Sequence, residues 1–380
     1  MWFPLRPHSR VAGPSVRLFP MIAEQIASLT YKQAGVDIDA GDQMVERIQH
    51  LCARTHSTRV LGKHGAFAGL FRLDYNEKLF ARNYKEPVLI ACTDGVGTKI
   101  KVAAQLRKYD TVGIDLVAMN VNDLIVQGGE PLFFLDYLAV HKLDPAIATQ
   151  MVKGISDGCL EAGAALLGGE TAEMPAVYAP GEFDMAGFAV GVVERKKILD
   201  GSTVQIGDSV IGLAGSGLHS NGYALVRHIC FDKLGLAADA FVPELNCPLG
   251  EELLRPTRIY VKSILGLLRR YKVKRVIKAM SHITGGGLPG NLPRVLPDGL
   301  AIKLKRDSWP VPPIFPFLQK NGPVDSDEMF NVFNMGIGFV LIVRPNFTRA
   351  IMVHLRTLGE KPYFLGKVKK AVGSTQIEWS

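Results

Sequence analysis

The sequence predicts an α/β protein of two domains. Its 380 residues exceed one ordinary hydrophobic core, because single cores rarely grow beyond roughly 250–300 residues. Apolar strand-like runs alternate with helical patterns along most of the chain. The polar, turn-rich stretch 196–208 separates four strand-like runs from a later set. We therefore expect a first domain at 28–195 and a second at 208–380.

Residues 1–27 are expected to form a poorly ordered extension. They combine prolines, arginines and scattered apolar residues without a clear period, and they lack the continuous apolar core of a signal peptide. The absence of acids before Glu24 is compatible with a transit-like segment. A start codon assigned too early, with Met21 as the true initiator, is the favoured alternative.

The first strong element is the apolar run 88–92, which follows Pro87 and predicts a buried strand. It leads into the residues TDGVGTK at 93–99. Gly95 and Gly97 would let a phosphate approach the backbone closely. The carboxylate, two hydroxyls and ammonium of this stretch suit a phosphate that carries Mg²⁺. The alternative is a hairpin whose polar groups face water.

A helix is predicted at 111–127, with its apolar residues on one side. The other side carries only short acids and amides and no Lys, Arg or Glu. Such short oxygen donors favour metal coordination over solvation, although an ordinary helix with a wet face is the alternative. The four side chains concerned are Asp115, Asn120, Asn122 and Asp123.

Three further elements complete the expected first domain: a strand at 131–140, a helix at 146–162 and a strand at 164–169. The last opens into Glu170 after paired glycines, which repeats the arrangement at Asp94. A fourth strand ends at Glu194. Asp94, Asp123 and Glu170 could together hold Mg²⁺ between triphosphate oxygens, or each could cap a helix or turn.

In the second half, the strand 209–215 leads into small residues at 216–222 and a helix from Tyr223. Exposed backbone N–H groups at such a helix start form an anion site. His219 could bind phosphate or transfer a proton near neutral pH, or it could cap the turn locally.

A second glycine-rich turn places His282 and Thr284 before Gly285, Gly286 and Gly287. Three consecutive glycines are entropically costly unless the backbone must approach something closely. A phosphate nest is the natural candidate, and a flexible loop is the alternative. The stretch 329–343 is predicted to close with a buried strand after Asn334 and Gly336. The stretch 361–372 predicts one more strand and an exposed basic segment.

Composition excludes several functional classes. No apolar run approaches the roughly 20 residues of a membrane span, so we expect no membrane partner. Five widely spaced cysteines without a CxxC pair favour reduced thiols in the cytoplasm over disulfides or zinc. The segment 255–278 holds nine Lys/Arg and no acid, yet its apolar residues resemble a buried helix face, so we expect no nucleic-acid binding.

Several motifs together resemble the aminoimidazole ribonucleotide (AIR) synthetase family, which are phosphoribosylformylglycinamidine cyclo-ligases. They are TDGVGTK (93–99), AGVDIDAG (34–41), GIDLVAMNVNDLIVQGGEPLFFLDY (113–137), GGETAEMP (168–175), GLHSNGY (217–223) and PTRIYVKS (256–263). They run in order from about Leu29 into the C-terminal region. The segment 62–69 departs from the glycine-rich family pattern, because Lys63, His64, Ala66 and Ala68 interrupt it.

The resemblance implies ATP-dependent closure of the imidazole ring of formylglycinamidine ribonucleotide in purine synthesis, with Mg²⁺. It implies a homodimer in which the four N-terminal strands of two copies form a barrel-like core, and an α/β layer behind it. The implied catalytic residues are Asp94, Lys99, His219 and His282, and the implied metal ligands are Asp94, Asp123 and Glu170. The implied ATP and phosphate ligands are Thr93, Asp94, Gly95, Gly97, Thr98, Lys99, Asp115, Asn120, Gly169, Ser220, Asn221, Thr284, Gly285, Gly286 and Gly287.

Two other functions stay open at this point. One is a different ATP-dependent member of the same superfamily: a selenophosphate synthetase, a thiamine-phosphate kinase or a hydrogenase-maturation dehydratase. Residues 62–69 hold no cysteine and the chain ends in Ser380, which disfavours the first and the last of these. The other is a non-catalytic nucleotide-binding module, in which we would expect the candidate acids to be lost.

Overall fold

The structure is a computed structural model that describes residues 37–61, 68–73 and 84–380. The expected extension 1–27 lies outside the described residues, as does the part of the glycine-containing segment at 62–67. The structure has the mixed α/β architecture that the sequence predicts. The domain bounds at 195 and 208 stay a prediction.

Helices and strands alternate through both halves of the described chain. The helices are α1 (Ile38–Ala53), α2 (Lys99–Leu106), α3 (Asp110–Val126), α4 (Pro145–Ala162), α5 (Tyr223–Arg227), α6 (Leu249–Leu253), α7 (Val261–Arg270), α8 (Gly287–Asn291), α9 (Ile314–Asn321), α10 (Ser326–Val332) and α11 (Thr348–Thr357). The strands are β1 (Val60–Leu61), β2 (Leu70–Phe71), β3 (Pro87–Gly95), β4 (Glu130–Val140), β5 (Ala165–Glu173), β6 (Phe183–Glu194), β7 (Ser209–Ala214), β8 (Phe241–Val242), β9 (Cys247–Pro248), β10 (Ile277–His282), β11 (Leu300–Leu304), β12 (Ile337–Val343), β13 (Pro362–Lys370) and β14 (Ile377–Trp379).

The first half forms a four-stranded sheet in the order β3-β6-β4-β5. β6 is antiparallel to both neighbours, and β4 and β5 are parallel. Helices α1, α3 and α4 pack on one face of the sheet. On the opposite face β3 and β6 expose apolar side chains, because alternate residues of a strand point to opposite sides. Leu89 is 58% exposed there and Phe188 is 42% exposed.

The second half forms a six-stranded sheet in the order β10-β12-β7-β13-β11-β14. Its pairs are antiparallel except that β14 lies parallel to β11 at the sheet edge. Every residue of β10 and β12 is buried, so this end of the sheet lies inside the molecule. Helix α3 contacts both β3 and β10 and thereby joins the two sheets.

The predicted elements match the structure closely, with informative differences at the ends of two strands. Helix α3 begins and ends within one residue of the predicted 111–127. The strand predicted at 164–169 extends to Glu173, because Glu170 to Glu173 pair with β4. The strand predicted at 88–92 extends to Gly95, because Asp94 and Gly95 pair with β6. Asp94 therefore lies in a paired strand rather than in a free turn, which fixes its backbone.

No helix in the described ranges is long and apolar enough to cross a membrane.

Candidate functional site

Asp94 is held at the end of β3 by its own backbone and by helix α3. Its Oδ1 accepts a hydrogen bond from the Gly95 amide at 2.8 Å. Asn120 of α3 donates from Nδ2 to the Asp94 carbonyl oxygen at 3.3 Å and to Leu116 O at 2.9 Å. The facing residue is Gly187, where a Cβ would lie 2.7 Å from Asn120 Nδ2. Because Gly187 has no side chain, Asn120 has room to hydrogen-bond the backbone of Asp94.

Asp123 and His282 meet beside Asp94 although they come from different halves of the chain. His282 Nδ1 lies 2.8 Å from Asp123 Oδ1. Burial raises the pKa of Asp94, and the charge of Asp123 raises it further while His282 opposes the shift. Two of the three predicted metal-binding acids therefore share one site, with a histidine between the sheets.

The turn at 216–222 packs against the residues that follow β3. Ser220 donates from Oγ to the Val96 carbonyl oxygen at 2.8 Å. Gly97 and Thr98 are exposed next to it, and Thr98 precedes helix α2 without a side-chain cap. Thr93 of β3 is also exposed, but its side chain lies on the outer sheet face with Leu89, opposite to Asp94. This pair of turns offers backbone and hydroxyl donors to one ligand.

His219 has a different environment from the one predicted for a proton carrier. It is fully buried, and its Nε2 accepts a hydrogen bond from the Ser216 amide at 3.1 Å. Burial lowers the pKa of His219 well below 6.5, and the nearby charges of His282 and Lys99 add to the effect. The imidazole is therefore neutral at physiological pH. The contact of Nε2 with the Ser216 amide agrees with the alternative interpretation, in which His219 caps its own turn.

The triple-glycine loop is held in shape by a residue that sequence reasoning missed. Asn291 donates from Nδ2 to the carbonyl oxygens of Thr284 (3.3 Å), Gly285 (3.1 Å) and Gly287 (2.9 Å). The Gly287 amide donates to the Thr284 carbonyl oxygen at 3.0 Å, which leaves the amides of Gly285 and Gly286 for an anion. Gly286 has φ +91° and Gly287 φ +57°, so glycine is needed for this backbone. The sequence signal for this role was the position of Asn291, which lies on α8 four residues after Gly287.

Buried side-chain polar atoms without a hydrogen-bond partner in the described part of the chain occur both at the predicted site and elsewhere, and five of them belong to residues predicted for the site. One of the five, Asp115 Oδ2, lies 2.7 Å from Lys99 Nζ, so four remain. They are Asn120 Oδ1, His219 Nδ1, Asn221 Nδ2 and His282 Nε2. Buried polar groups in native proteins are nearly always satisfied, by protein, water or ligand. Water or a polar ligand would supply the missing partners of these four atoms.

Lys99 and Asp115 do not face this ligand site. They form a fully buried ion pair, with Lys99 Nζ 2.7 Å from Asp115 Oδ2. Lys99 also donates to His219 O at 3.0 Å and to Arg255 O at 2.7 Å, so its three N–H groups are used. Asp115 Oδ1 accepts from the amide and hydroxyl of Thr257. The predicted phosphate contacts of both residues are wrong for this structure, because both side chains are enclosed by protein.

The polar face of α3 also contacts the second half of the chain, at residues 257–260. Asn122 donates to Arg258 O at 2.8 Å and accepts from the Tyr260 amide at 3.0 Å. Together with Asp115 it binds the backbone of residues 257–260 to the helix. This face was predicted to coordinate metal, yet Asp115, Asn120 and Asn122 are all buried in protein contacts. Of the four short polar residues, only Asp123 keeps an exposed carboxylate.

Glu170 and Gly169 lie on β5, at the opposite edge of the four-stranded sheet from Asp94. Two strands separate β5 from β3, so one chain does not bring Glu170 to Asp94 and Asp123. Glu170 instead lines a cleft of about 1360 Å³ along the outer face and the β5 edge. Gly169 packs against the Asp136 carboxylate.

Asp136 is an acid in this cleft that the sequence did not single out. It lies on β4, is 8% exposed and has no counter-charge within its hydrogen-bonding range in the described ranges. Burial raises its pKa from 3.8 to about 7. The sequence signal for Asp136 was its position as an acid within an apolar stretch of β4.

The donor set near Asp94 fits magnesium bound together with a phosphate ligand. Over residues 37–61, 68–73 and 84–380, no group of three or more His, Cys, Asp or Glu side chains is arranged to hold a metal alone. Mg²⁺ is commonly bound by one or two carboxylates, with the remaining positions taken by waters and substrate phosphates. Asp94 and Asp123 are the two acids that would supply those carboxylates.

Comparison with known families covers most of the chain. The family models described as "AIR synthase related protein, N-terminal domain" and "AIR synthase related protein, C-terminal domain" match residues 80–193 and 205–377. The chain is 54% identical over 343 residues to a phosphoribosylformylglycinamidine cyclo-ligase of Syntrophotalea carbinolica, covering 90% of this chain and 95% of that one. It is 52% identical to a protein of the same name from Geobacillus kaustophilus, covering 90% and 96%.

Solved structures with the same fold are more distant in sequence. A thiamine-monophosphate kinase from Stenotrophomonas maltophilia superposes with a TM-score of 0.65 at 18% identity, over 89% of this chain and 96% of that one. The E. coli hydrogenase maturation protein HypE superposes with a TM-score of 0.59 at 18% identity, over 88% and 94%. At this identity the likeness concerns the fold.

Proposed function

This chain belongs to the phosphoribosylformylglycinamidine cyclo-ligase family of AIR synthase-related proteins, and from that premise we propose how its residues carry the reaction. The enzyme is an ATP-dependent ligase of purine biosynthesis. It closes the imidazole ring of formylglycinamidine ribonucleotide to give 5-aminoimidazole ribonucleotide, ADP and phosphate.

The reaction needs an amide oxygen to become a good leaving group. ATP phosphorylates the formamide oxygen, and an amidine-derived nitrogen then attacks the same carbon while phosphate departs. No protein nucleophile is needed, so the protein's task is to position the reactants and neutralise charge. This agrees with the cysteines, since burial raises the pKa of Cys52, Cys92 and Cys230 to about 12 and keeps these thiols protonated.

The triphosphate is assigned to the space between β3, α3 and β10. Asp94 and Asp123 would hold Mg²⁺ there, with Asn120 supporting Asp94 from behind. When bound, Mg²⁺ would supply charge neutralisation for the triphosphate. The four unpartnered buried atoms around this space carry the proposal, because each needs a polar partner that the described protein does not provide.

Phosphate groups are assigned to the two turns of the second sheet. Ser220 and Asn221 precede the short helix α5, and Gly285–Gly287 lead into α8. A Cβ on Gly285 would lie 3.8 Å from Asn221 Oδ1, so the two turns face each other across a narrow space. Gly95, Gly97, Thr98 and Thr284 complete the set of ligands that border it. Thr93 could contribute only through its backbone, because its side chain lies on the outer sheet face.

His282 is assigned to the reacting end of the ligand. Asp123 holds its Nδ1, which leaves Nε2 to bind the nucleotide or the ribonucleotide. His219 keeps an inner position and offers only its Nδ1. Lys99 and Asp115 join the two halves rather than touch ATP.

A role for Glu170 requires a second copy of the chain. The outer sheet face exposes apolar residues such as Leu89 and Phe188, which a partner would cover. We propose a homodimer in which this face of each protomer closes the barrel-like core, with Glu170 near the boundary. All five cysteines are free thiols, which supports a cytoplasmic location.

The assignment is tested with purified enzyme, formylglycinamidine ribonucleotide, ATP and Mg²⁺, following formation of the aminoimidazole. We expect Asp94→Asn to lower kcat/KM by roughly 100-fold with an unchanged thermal transition. Asp184→Asn is the matched control, because Asp184 Oδ1 also accepts the amide of the next residue at 2.8 Å on a strand of the same sheet. Full turnover by Asp94→Asn would refute the metal role. Phosphorylation of thiamine monophosphate in place of ring closure would favour the kinase alternative.

A further inference from the structure

The last residues of the chain are fixed as an edge strand. β14 lies parallel to β11, with Trp379 opposite Leu304. The Ile302 amide donates to Gln376 O at 2.7 Å, and the Ser380 amide donates to Leu304 O at 2.8 Å. These main-chain bonds place the Trp379 ring at a defined position on the sheet.

Trp379 belongs to a three-residue cluster, Arg306, Phe330 and Trp379, that we call the C-terminal clamp. The ring centroids of Trp379 and Phe330 are 4.6 Å apart. The Arg306 guanidinium lies 5.0 Å from both centroids, which is within the range of cation–π attraction. Arg306 also donates to Asp327 Oδ1 at 2.6 Å, at the start of α10. The clamp therefore contacts α10 at two points, at Asp327 near its N-terminus and at Phe330.

The other side of α10 contacts both turns to which we assigned phosphate. A Cβ on Gly287 would overlap the Phe330 carbonyl oxygen, so the glycine loop packs directly on the helix backbone. A Cβ on Gly222 would overlap the ring of Phe333, the residue that ends α10. One short helix thus touches the clamp and both turns.

We propose that Trp379 is a positioning residue for the phosphate turns. Through the C-terminal clamp it fixes α10, and α10 sets the separation of residues 220–222 from residues 285–287. Trp379 itself touches no substrate. The inference rests on the proposed function, because only that function assigns phosphate to the two turns.

Amide hydrogen exchange tests the structural part without any substrate. We expect Trp379→Ala to speed exchange about tenfold at 220–222 and 285–287, and Trp379→Phe to stay near the wild type. The control is Phe364→Ala, which removes a half-exposed aromatic ring from β13, a strand of the same sheet that β11 separates from β14. If Trp379→Ala does not fold, Arg306→Gln weakens the same clamp and should give the same pattern.

Steady-state kinetics test the functional part. We expect Trp379→Ala to raise KM for formylglycinamidine ribonucleotide at least fivefold with kcat within twofold, and Trp379→Phe to restore KM. A purely structural role would lower the melting temperature and leave KM unchanged. Unchanged exchange at both turns, or an equal effect of Phe364→Ala, overturns the inference. A wild-type enzyme without ring-closing activity refutes the proposed function instead, while the exchange experiment still decides the role of the clamp.

Discussion

His282 and Asp123 form a 2.8 Å contact between the last residue of β10 and the exposed side of α3. The contact spans 159 positions of sequence and joins the two sheets at the edge of the proposed ATP site. It orients the imidazole, so that Nε2 points away from Asp123 without a partner in the part of the chain that the structure describes. The acid that would bind metal is therefore also the acid that aligns the histidine.

Replacing Asp123 should change the titration of Asp94. Burial and the charge of Asp123 raise the pKa of Asp94, so Asp123→Asn should lower that pKa by removing the neighbouring negative charge. The measurement is a carboxyl ¹³C NMR titration of the ligand-free enzyme. Asp184→Asn should leave the Asp94 titration unchanged. An unaltered or higher pKa of Asp94 in Asp123→Asn contradicts the shared site.

Lys99 should matter for stability more than for ATP affinity. Lys99→Met leaves the buried Asp115 carboxylate without its cation, which costs about 3–5 kcal/mol in comparable pairs. Urea unfolding measures this loss, and Lys99→Met with Asp115→Leu should recover much of it.

The alternative for Lys99 makes the opposite prediction. If its ammonium bound phosphate, Lys99→Met would keep its unfolding midpoint and raise KM for ATP. Lys101→Met is a suitable control, since Lys101 lies two residues further on and its ion pair with Glu182 is partly exposed.

Asp136 should make stability fall as the pH rises. Its pKa is about 7 in the folded protein against 3.8 as a free side chain, so protonation favours the folded state. This contribution is complete below about pH 4 and is lost as the pH rises through about 7. Asp136→Asn should therefore gain stability relative to the wild type as the pH is raised from 4 to 8. Thermal unfolding across this range measures it, and Glu130→Gln at the start of the same strand should show no such gain.

Phe188 should be needed for the second copy. A charge on the outer sheet face would have to be buried on association, so Phe188→Asp should shift the enzyme from dimer to monomer. Sedimentation velocity reports the change in mass. Val273→Asp introduces the same charge at an 87% exposed position outside this sheet and should remain dimeric. A monomeric wild type would contradict the proposed barrel-like core.

The sequence was informative where chemistry is local. The strand–helix order, the span of α3 and the two glycine turns follow from periodicity and residue type. That Asp94 and Asp123 hold one metal ion stays a prediction. The roles of Lys99 and Asp115 could not be read in this way, because the partner Thr257 is 142 positions from Asp115. A short polar residue on a helix looks the same whether it binds metal or a distant backbone. Asn291 and Trp379 were missed for the same reason, since each acts through the placement of another element.

The junction made by Lys99, Asp115 and Asn122 has a consequence for biosynthesis of the enzyme. The residues that we assign to the nucleotide are spread over about half of the polypeptide, from Asp94 to Gly287. A chain emerging from the ribosome cannot bind ATP until its second half has been made and has docked on α3. Nucleotide should then act as a late stabiliser of the finished molecule, protecting assembled enzyme from unfolding and leaving incomplete chains unprotected.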